Sequence, residues 1–265
     1  MVATMTPLYA SHQFKALVIG ANGAIGSAFV NAFRSDPNCL HVEAVSRESP
    51  SGFDLLNEES IRVQASLSTS AGPFDIIIDA TGALEIDGLG PEKSLMGLNQ
   101  HHLMQSFLVN AIGPALVIRH FSPLLSKGAS IYAKLSARVG SIADNKKGGW
   151  YGYRASKAAL NMLLQTAAIE LQRKNTHMRV VALQPGTVRS RLSNPFVGTH
   201  THLLEPENSV SSMLEAMKHL SVRSGAHFVD FMGNEIPWLS AQCCDAFFHL
   251  KTYHTTIDFS NCNRG

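Results

Sequence analysis

Apolar residues recur every three or four positions in one stretch near the middle of the chain. They are Leu160, Leu163, Leu164, Ala167, Ala168 and Leu171. This period is that of an amphipathic helix, and it predicts one long helix over residues 151–171. Tyr153 and Lys157 stand four positions apart near its beginning, so a helix places both side chains on one face.

Short apolar runs alternate with helical patterns along the rest of the chain. The predicted strands are at residues 14–20, 39–45, 74–79, 129–135, 178–183 and 226–231, and the longer helical patterns are at 95–120, 151–171 and 205–220. Such alternation predicts an α/β fold, a doubly wound parallel sheet in a single domain with helices on both faces. Pro114 lies inside the 95–120 pattern, one turn after Asn110, and predicts a kink or bulge there.

A glycine-rich turn, GANGAIG, follows the first predicted strand and precedes a helical pattern. Strand, turn and helix in this order are the context of a phosphate-binding turn. Gly20 permits the tight turn, Gly23 lets the backbone approach a pyrophosphate, and Gly26 lets helix and strand pack closely. The helix N-terminus adds amide donors and positive potential. The turn therefore predicts a nucleotide site, which includes Asn22 and Ile25.

The end of the second predicted strand bears on which dinucleotide is bound. Ser46 and Arg47 follow the strand, and no acid precedes Glu48. An acid would accept from a ribose 2′-hydroxyl, whereas a guanidinium binds a 2′-phosphate bidentately. The pattern favours NADP(H) over NAD(H), the alternative being a surface arginine. Asp54, further along, is placed near the adenine ring.

Two more segments lie where strands of the predicted sheet end. Ligands of open α/β sheets collect at the carboxyl ends of the strands. The candidate cofactor contacts there are Asp79, Ala80, Thr81 and Gly82 after the third strand, and Pro185, Gly186, Thr187 and Val188 after a later one.

The Tyr153–Lys157 pair is the candidate for proton transfer. A free phenol has a pKa of about 10, and a nearby ammonium lowers it. We expect such a lowered pKa at Tyr153, so that the phenol exchanges a proton near neutral pH. The alternative is a partly exposed helix start with an ordinary surface lysine.

Composition and charge indicate which partners, compartment and metal sites to expect. The net charge of the 265 residues is +2, without a long basic run, which gives no support for a nucleic-acid partner. There is no run of eighteen apolar residues and no clear signal peptide, so we expect a cytoplasmic protein without a membrane partner. The four cysteines form no CxxC, which indicates a reducing compartment. No histidine or cysteine spacing predicts a metal site.

Together these motifs resemble the short-chain dehydrogenase/reductase family, and more narrowly its carbonyl-reductase and C-factor-like branch. The matching segments are GANGAIG at 20–26, DATGA at 79–83, NAIGP at 110–114, SARVGSI at 136–142, GGWYGYRASKAALN at 148–161, QPGTVRSRLS at 184–193 and IPW at 236–238. The resemblance covers residues 14–238. It implies a Rossmann fold, reduction of a small-molecule carbonyl with NADP(H), and a homodimer or homotetramer.

The resemblance also implies residue roles. Tyr153 is the acid that protonates the carbonyl oxygen, and Lys157 bonds the nicotinamide ribose and lowers the pKa of the tyrosine. Asn110 bonds main chain at the helix kink and supports a proton-relay water. Thr187 and Val188 meet the nicotinamide carboxamide. A serine holds the carbonyl oxygen.

The sequence departs from the family pattern at three places. Ala24 replaces the middle glycine of the usual turn, and Asp79 stands where an amide is common. The family often has two serines before the loop, and this chain has Ser136 followed by Ala137. We assign the serine role to Ser136, with Ser141 as the alternative, and the alignment also permits the working position to fall on Ala137.

Three functional hypotheses remain open at this point. The first is an NADPH-dependent carbonyl reductase, the second an NAD(P)-binding regulatory or signalling protein with weak or no turnover, and the third an interaction protein that dimerises through the 151–171 helix. A substrate loop is expected at 189–202, where Phe196 and Val197 suggest an apolar ligand. Residues 239–265 lie outside the resemblance and fit a disordered tail, a lid or an aberrant extension.

Overall fold

A computed structural model describes residues 13–189 and 203–238. Six strands form one sheet. They are β1 (Phe14–Ile19), β2 (Cys39–Val45), β3 (Ile76–Asp79), β4 (Ser130–Leu135), β5 (Met178–Gln184) and β6 (His227–Asp230). Each is a short apolar run, and all except β2 are largely buried, as expected of strands covered on both faces.

Helices connect the strands. They are α1 (Ala24–Ser35), α2 (Glu58–Ser68), α3 (Gln100–Phe107), α4 (Gly113–Phe121), α5 (Tyr151–Gln172) and α6 (Pro206–Lys218). The long helix predicted from the apolar period is α5. Asn57 caps α2 by accepting from the amides of Glu59 and Ser60.

The sheet has the order β2-β1-β3-β4-β5-β6, and every neighbouring pair is parallel. The chain leaves β1 toward one edge and returns on its other side at β3. This reversal creates a switch point between the carboxyl ends of β1 and β3, where ligands of open α/β sheets bind. The prediction of a doubly wound parallel sheet is confirmed.

Alternation of side chains along the strands produces two cores. Leu17 and Ile19 of β1 face a cluster completed by α2, α4 and α5, whereas Ala16 and Val18 face a cluster completed by α1 and α6. Helices therefore cover both faces of the sheet, as the sequence predicts.

The segment predicted as one helix from Leu95 to His120 is interrupted. A 3₁₀ turn spans Leu95–Gly97, α3 begins after the Asn99 cap, and a π-helical turn at Leu108–Ile112 separates α3 from α4. Pro114 follows at the start of α4. A residue without an N–H and with a bulky ring fits where the helix widens, so the predicted irregularity is confirmed.

One strand begins later than predicted. β3 begins at Ile76 rather than Phe74, because Phe74 donates its amide to Leu124 and makes a bridge with Leu125.

The stretch Gln100–Leu124 is long and apolar enough, by length and composition, to cross a membrane, with a mean hydropathy of 1.2. Core helices pass the same test, and Val117, Ile118 and Phe121 of α4 are buried in the first core.

Candidate active site

The glycine turn connects β1 to α1 at the switch point. Gly20 has a φ of +82° and starts a turn in which the amides of Gly20 and Ala21 donate to Val45 O. A Cβ at Gly26 would lie 2.1 Å from Gly20 O, so only glycine lets α1 approach the turn this closely. Gly23 is the N-cap of α1, and no described side chain caps this helix end. Its first amides are therefore suited to a phosphate.

The other half of the predicted dinucleotide site lies at the end of β2. Arg47 is exposed and Ser46 is half-buried, and the Ser46 hydroxyl accepts from the Glu48 amide at 3.2 Å. The Asn22 side chain donates to Glu48, which ties the glycine turn to this segment. Asp54 is exposed, and its Oδ1 accepts from the amide of Leu56 at 2.9 Å.

Asp79, at the end of β3, is fully buried. Its Oδ1 accepts from Lys134 Nζ at 2.9 Å, from Thr81 N at 2.9 Å and from the Thr81 hydroxyl at 2.6 Å. Tyr132 donates to its other oxygen at 3.4 Å. The carboxylate thus bonds groups in the protein interior, while the backbone of residues 80–83 continues from the carboxyl end of β3. The role of Asp79 as a cofactor contact stays a prediction.

Asn110 lies in the π-helical turn and bonds to the segment after β3. Its Oδ1 accepts from Ala83 N at 2.9 Å and its Nδ2 donates to Ala83 O at 2.8 Å. The resemblance implies that this side chain bonds main chain at the helix kink, and the main chain that it bonds from the π-helical turn is that of Ala83. Its support of a proton-relay water stays a prediction.

Tyr153 and Lys157 share one face of α5, and Lys157 Nζ lies 5.7 Å from the centroid of the Tyr153 ring. Lys157 is buried, and its Nζ donates to Leu135 O at the end of β4 at 3.2 Å. A Cβ at Gly82 would lie 3.4 Å from Lys157 Nζ and 3.0 Å from Asn110 Oδ1. The absence of a side chain at Gly82 therefore lets this backbone pass beside both polar groups.

The expected lowering of the Tyr153 pKa is wrong for this structure. Burial raises the pKa of Tyr153 to about 12. Burial lowers the pKa of Lys157 to about 7, an effect that the charge of Lys134 increases and that of Asp79 opposes. The ammonium lies 5.7 Å from the ring centroid, and the desolvation of the phenol outweighs any attraction of the ammonium for the phenolate.

The N-terminus of α5 is held by a buried acid that sequence analysis missed. Glu92 Oε2 accepts from Gly152 N at 3.0 Å, and its Oε1 lies 3.3 Å from Nδ1 of the buried His102. Trp150, before the helix, has a left-handed φ of +55° and donates its amide to Glu92 O. Glu92 replaces the missing side-chain cap and so fixes the turn that carries Tyr153.

Comparison with known proteins agrees with this arrangement. The sequence model of a family described as enoyl-(acyl carrier protein) reductase matches residues 41–221. The chain belongs to the short-chain dehydrogenase/reductase family. It is accordingly an NAD(P)-dependent oxidoreductase of that family.

Two curated relatives of the family show how far the similarity extends. The 1-hydroxy-2-glutathionyl-2-methyl-3-butene dehydrogenase of a Rhodococcus species is 29% identical over 188 residues, which cover 71% of this chain and 79% of that protein. C-signal of Myxococcus xanthus is 33% identical over 168 residues, which cover 63% of this chain and 94% of that protein.

Solved structures share the short-chain dehydrogenase/reductase fold. An NADPH-bound carbonyl reductase from chicken fatty liver superposes with a TM-score of 0.73 at 21% identity, over 88% of this chain and 99% of that one. An NADP-bound short-chain dehydrogenase/reductase from Burkholderia multivorans has a TM-score of 0.69 at 24% identity, over 85% of this chain and 100% of that one.

The serine that holds the carbonyl oxygen is one of the positions at which this chain departs from the short-chain dehydrogenase/reductase pattern. The Ser136 hydroxyl is buried and donates to Asn161 Oδ1 at 2.6 Å. The Ser141 hydroxyl is also buried and donates to Pro237 O. Ala137 is half-buried and offers no polar side chain. Both candidate hydroxyls thus donate to protein acceptors.

The Pro-Gly turn after β5 is described up to Arg189. Gly186 has a φ of +79°, Val188 is buried, and Thr187 is exposed with its carbonyl accepting from Leu204 N at 2.9 Å. Most of the expected substrate loop, with Phe196 and Val197, lies outside the described residues, as do the segment 239–265 and three of the four cysteines. Among residues 13–189 and 203–238 no group of three His, Cys, Asp or Glu side chains could hold a metal.

Three polar residues near the site were not predicted from the sequence, namely Lys134, Glu92 and Asn161. A signal existed for Lys134, since it is a charge inside an otherwise apolar predicted strand, and a buried lysine needs a partner. Glu92 and Asn161 carried no signal, because only the folded chain brings them to Gly152 and Ser136.

Proposed function

We propose that the protein reduces a carbonyl group of a small molecule to an alcohol with NADPH. The observation that carries this proposal is the position of Tyr153 and Lys157 on one face of α5, beside Gly82, Asn110 and the end of β4. This places a proton donor and a cation at the carboxyl edge of the sheet, next to the switch point. Residues 14–238 form the proposed catalytic domain.

The residues at the cleft fit a dinucleotide. Gly20, Gly23 and Gly26 leave room and amides for a pyrophosphate. The proposed role of the Lys157 ammonium toward the cofactor is to bond a ribose hydroxyl. The cofactor, when bound, supplies the hydride that the carbonyl carbon takes up. Further proposed contacts are Asn22, Ile25, Asp54, Asp79, Ala80, Thr81, Pro185, Gly186, Thr187 and Val188.

The proposed role of Tyr153 is to donate its proton to the carbonyl oxygen. Burial raises its pKa to about 12, so the phenol is protonated and able to donate at neutral pH. As the proton leaves, the charged Lys157 stabilises the phenolate. Asn110 holds Ala83 and keeps the segment 80–83 beside Lys157.

We infer a preference for NADPH over NADH from Arg47. Its guanidinium is exposed at the end of β2, and the acid after it, Glu48, accepts from Asn22. A guanidinium binds a 2′-phosphate bidentately, whereas the Glu48 carboxylate already accepts from Asn22 through one of its oxygens.

We also propose a cytoplasmic homodimer. Met162, Leu163 and Ile169 of α5 are exposed by 66%, 40% and 41%. Burying such side chains against a second copy of α5 would remove apolar surface from water. A homotetramer would use a second surface of the same subunit.

The decisive experiment follows NADPH absorbance with purified protein and a panel of aldehydes, quinones, dicarbonyls and an enoyl thioester. We expect turnover of a carbonyl compound and at least a hundredfold loss of kcat in Tyr153→Phe. Tyr151→Phe is the matched control, because it removes a hydroxyl two positions earlier in the same helix. Equal activity of both variants would refute the role of Tyr153. Turnover of the thioester alone would show that the substrate is an enoyl thioester and not a carbonyl compound.

The second candidate is an NAD(P)-binding regulatory protein with weak or no turnover. Ala137 and the engaged hydroxyls of Ser136 and Ser141 favour it, because both candidate serines donate to protein acceptors instead of a carbonyl oxygen. The similarity to a protein named C-signal agrees with this hypothesis. NADPH binding by calorimetry, without turnover of any compound in the panel, would support the second candidate over the first.

A further inference from the structure

A buried ion pair lies below the proposed cofactor cleft, where the family resemblance implies an uncharged amide. Lys134 of β4 and Asp79 of β3 are both fully buried, and their charged atoms are 2.9 Å apart. These two strands are neighbours in the sheet, and the two residues stand opposite each other in register. A buried lysine and aspartate in such contact are there as a charged pair.

Lys134 bonds the backbone that passes Lys157. Its Nζ donates to Thr81 O at 2.6 Å and to the Thr81 hydroxyl at 2.9 Å. The next residue is Gly82, where a Cβ would lie 3.4 Å from Lys157 Nζ. Asn110 holds the following residue, Ala83, on both its amide and its carbonyl. The backbone of residues 81–83 beside Lys157 is thus held at both ends by hydrogen bonds from side chains.

Few other charges face Lys157. Asp79 comes from β3, Lys134 from β4 and the Tyr153 phenol from its own helix. Arg138 lies in a second 3₁₀ turn, Arg138–Gly140, which packs on α5, and it forms an ion pair with Asp230 at 3.2 Å. Glu92 and His102 interact with each other at the helix N-terminus. The two charges that act on Lys157 are therefore of opposite sign and belong to one pair.

We propose that Asp79 and Lys134 are positioning residues for Lys157: Lys134 holds the Thr81–Gly82 backbone beside its ammonium, and the opposed charges of the pair set the pH range in which Lys157 stays charged. The inference rests on the proposed function only in placing Lys157 at the cofactor ribose. Removing the aspartate leaves Lys134 fully buried without a counter-ion, which favours its neutral amine, so both charges of the pair are lost. Removing the lysine leaves an anion that still accepts from Thr81 and Tyr132, and this anion favours the charged form of Lys157.

The test is the dissociation constant of NADPH, measured by its fluorescence across a pH series. We expect wild-type affinity to fall as pH rises and Lys157 loses its proton. In Lys134→Met this fall should occur at a pH about one unit higher, whereas in Asp79→Asn, where Lys134 is neutral as well, it should stay near its wild-type pH. A displacement in Lys134→Met alone supports the inference, since general loosening of the fold would move both variants alike. Equal displacement of both variants, or none in Lys134→Met, overturns it.

A single variant leaves one buried charge without its partner and can fail to fold. The double variant Asp79→Asn/Lys134→Met removes both charges and is expected to fold, since neutral replacement of a buried pair is often tolerated. It lacks the ammonium that bonds Thr81, so we expect NADPH affinity to fall at least tenfold at the pH where wild type binds best. Wild-type affinity in a folded double variant would overturn the inference.

Lys157→Met separates this inference from the proposed function. It should weaken NADPH binding and abolish the dependence on pH in this range. If Lys157→Met binds NADPH as wild type does, the proposed cofactor site itself is wrong. If Lys157→Met binds NADPH more weakly while the pH dependence of binding in Lys134→Met is the same as in wild type, only the inference about the pair fails. Binding is measured without a substrate, so absence of turnover does not affect the outcome.

Discussion

The hydroxyl of Ser136 donates a hydrogen bond to Asn161 Oδ1 at 2.6 Å, and both side chains are buried. This bond joins the end of β4 to α5 one turn after Lys157. The Asn161 amide nitrogen is itself buried without a partner in the part of the chain that the structure describes. The proton of Ser136 is thus used to connect two elements of the site.

Ser136→Ala should therefore affect stability more than catalysis. Loss of the hydroxyl leaves Asn161 Oδ1 unsatisfied as well, and we expect the free energy of unfolding to fall by about 1–3 kcal/mol. A hydroxyl bound to protein adds nothing specific to the transition state, so kcat should change by less than about threefold. Urea denaturation and NADPH oxidation measure the two effects.

Ser141→Ala is the matched control for Ser136→Ala, because it removes a buried hydroxyl that donates to Pro237 O. A drop of about a hundredfold in kcat with unchanged stability, in Ser136→Ala only, would instead identify Ser136 as the group that holds the carbonyl oxygen.

Two glycines of the GANGAIG turn should respond differently to alanine. A Cβ at Gly26 would lie 2.1 Å from the carbonyl oxygen of Gly20, and neither backbone can yield easily. We expect Gly26→Ala to lose about 3 kcal/mol of stability or to fail to fold. A Cβ at Gly23 would lie 3.4 Å from the same oxygen, and its backbone is extended with a φ of −72°.

Gly23→Ala should therefore fold with nearly normal stability and bind NADPH more weakly, because its methyl group projects at the helix N-terminus. Thermal unfolding and NADPH titration distinguish the two glycines. A Gly23→Ala protein with undiminished NADPH affinity would show that no phosphate approaches this backbone.

Arg47→Ala should raise the dissociation constant of NADPH at least tenfold, in keeping with the 1.5–3 kcal/mol typical of charged hydrogen bonds, and leave that of NADH unchanged. Arg34→Ala, an exposed arginine in the last turn of α1, removes the same charge elsewhere and is the control. Equal weakening of NADPH and NADH in Arg47→Ala would contradict a 2′-phosphate contact.

Glu92→Ala should loosen the N-terminus of α5. The Gly152 amide loses its acceptor, and we expect a loss of about 1–3 kcal/mol in the free energy of unfolding, since one buried donor is left without it. Glu92→Gln keeps the size and one acceptor oxygen, so it should recover most of that loss. If the alanine variant is as stable as wild type, Glu92 does not cap the helix.

Local patterns were sufficient for the elements of the fold and their order. The apolar period of residues 151–171 is carried by neighbours in sequence, and α5 follows it closely. The positions of Gly20 and Gly26 also follow from sequence, because a turn between a strand and a packed helix requires them at that spacing. Pairing of Tyr153 with Lys157 on one face needed only helix geometry.

Long-range contacts decided the rest. The direction in which the pKa of Tyr153 shifts depends on its burial, which no local sequence pattern reveals. The partner of Asn110 is Ala83, 27 positions away, and that of Ser136 is Asn161, 25 positions away. Asp79 and Lys134 are 55 positions apart and meet only because β3 and β4 pair in register. Sequence by itself determined which groups are available, and the packing of strands and helices decided which of them meet, because hydrogen bonds and desolvation act over a few ångströms in space whatever the separation along the chain.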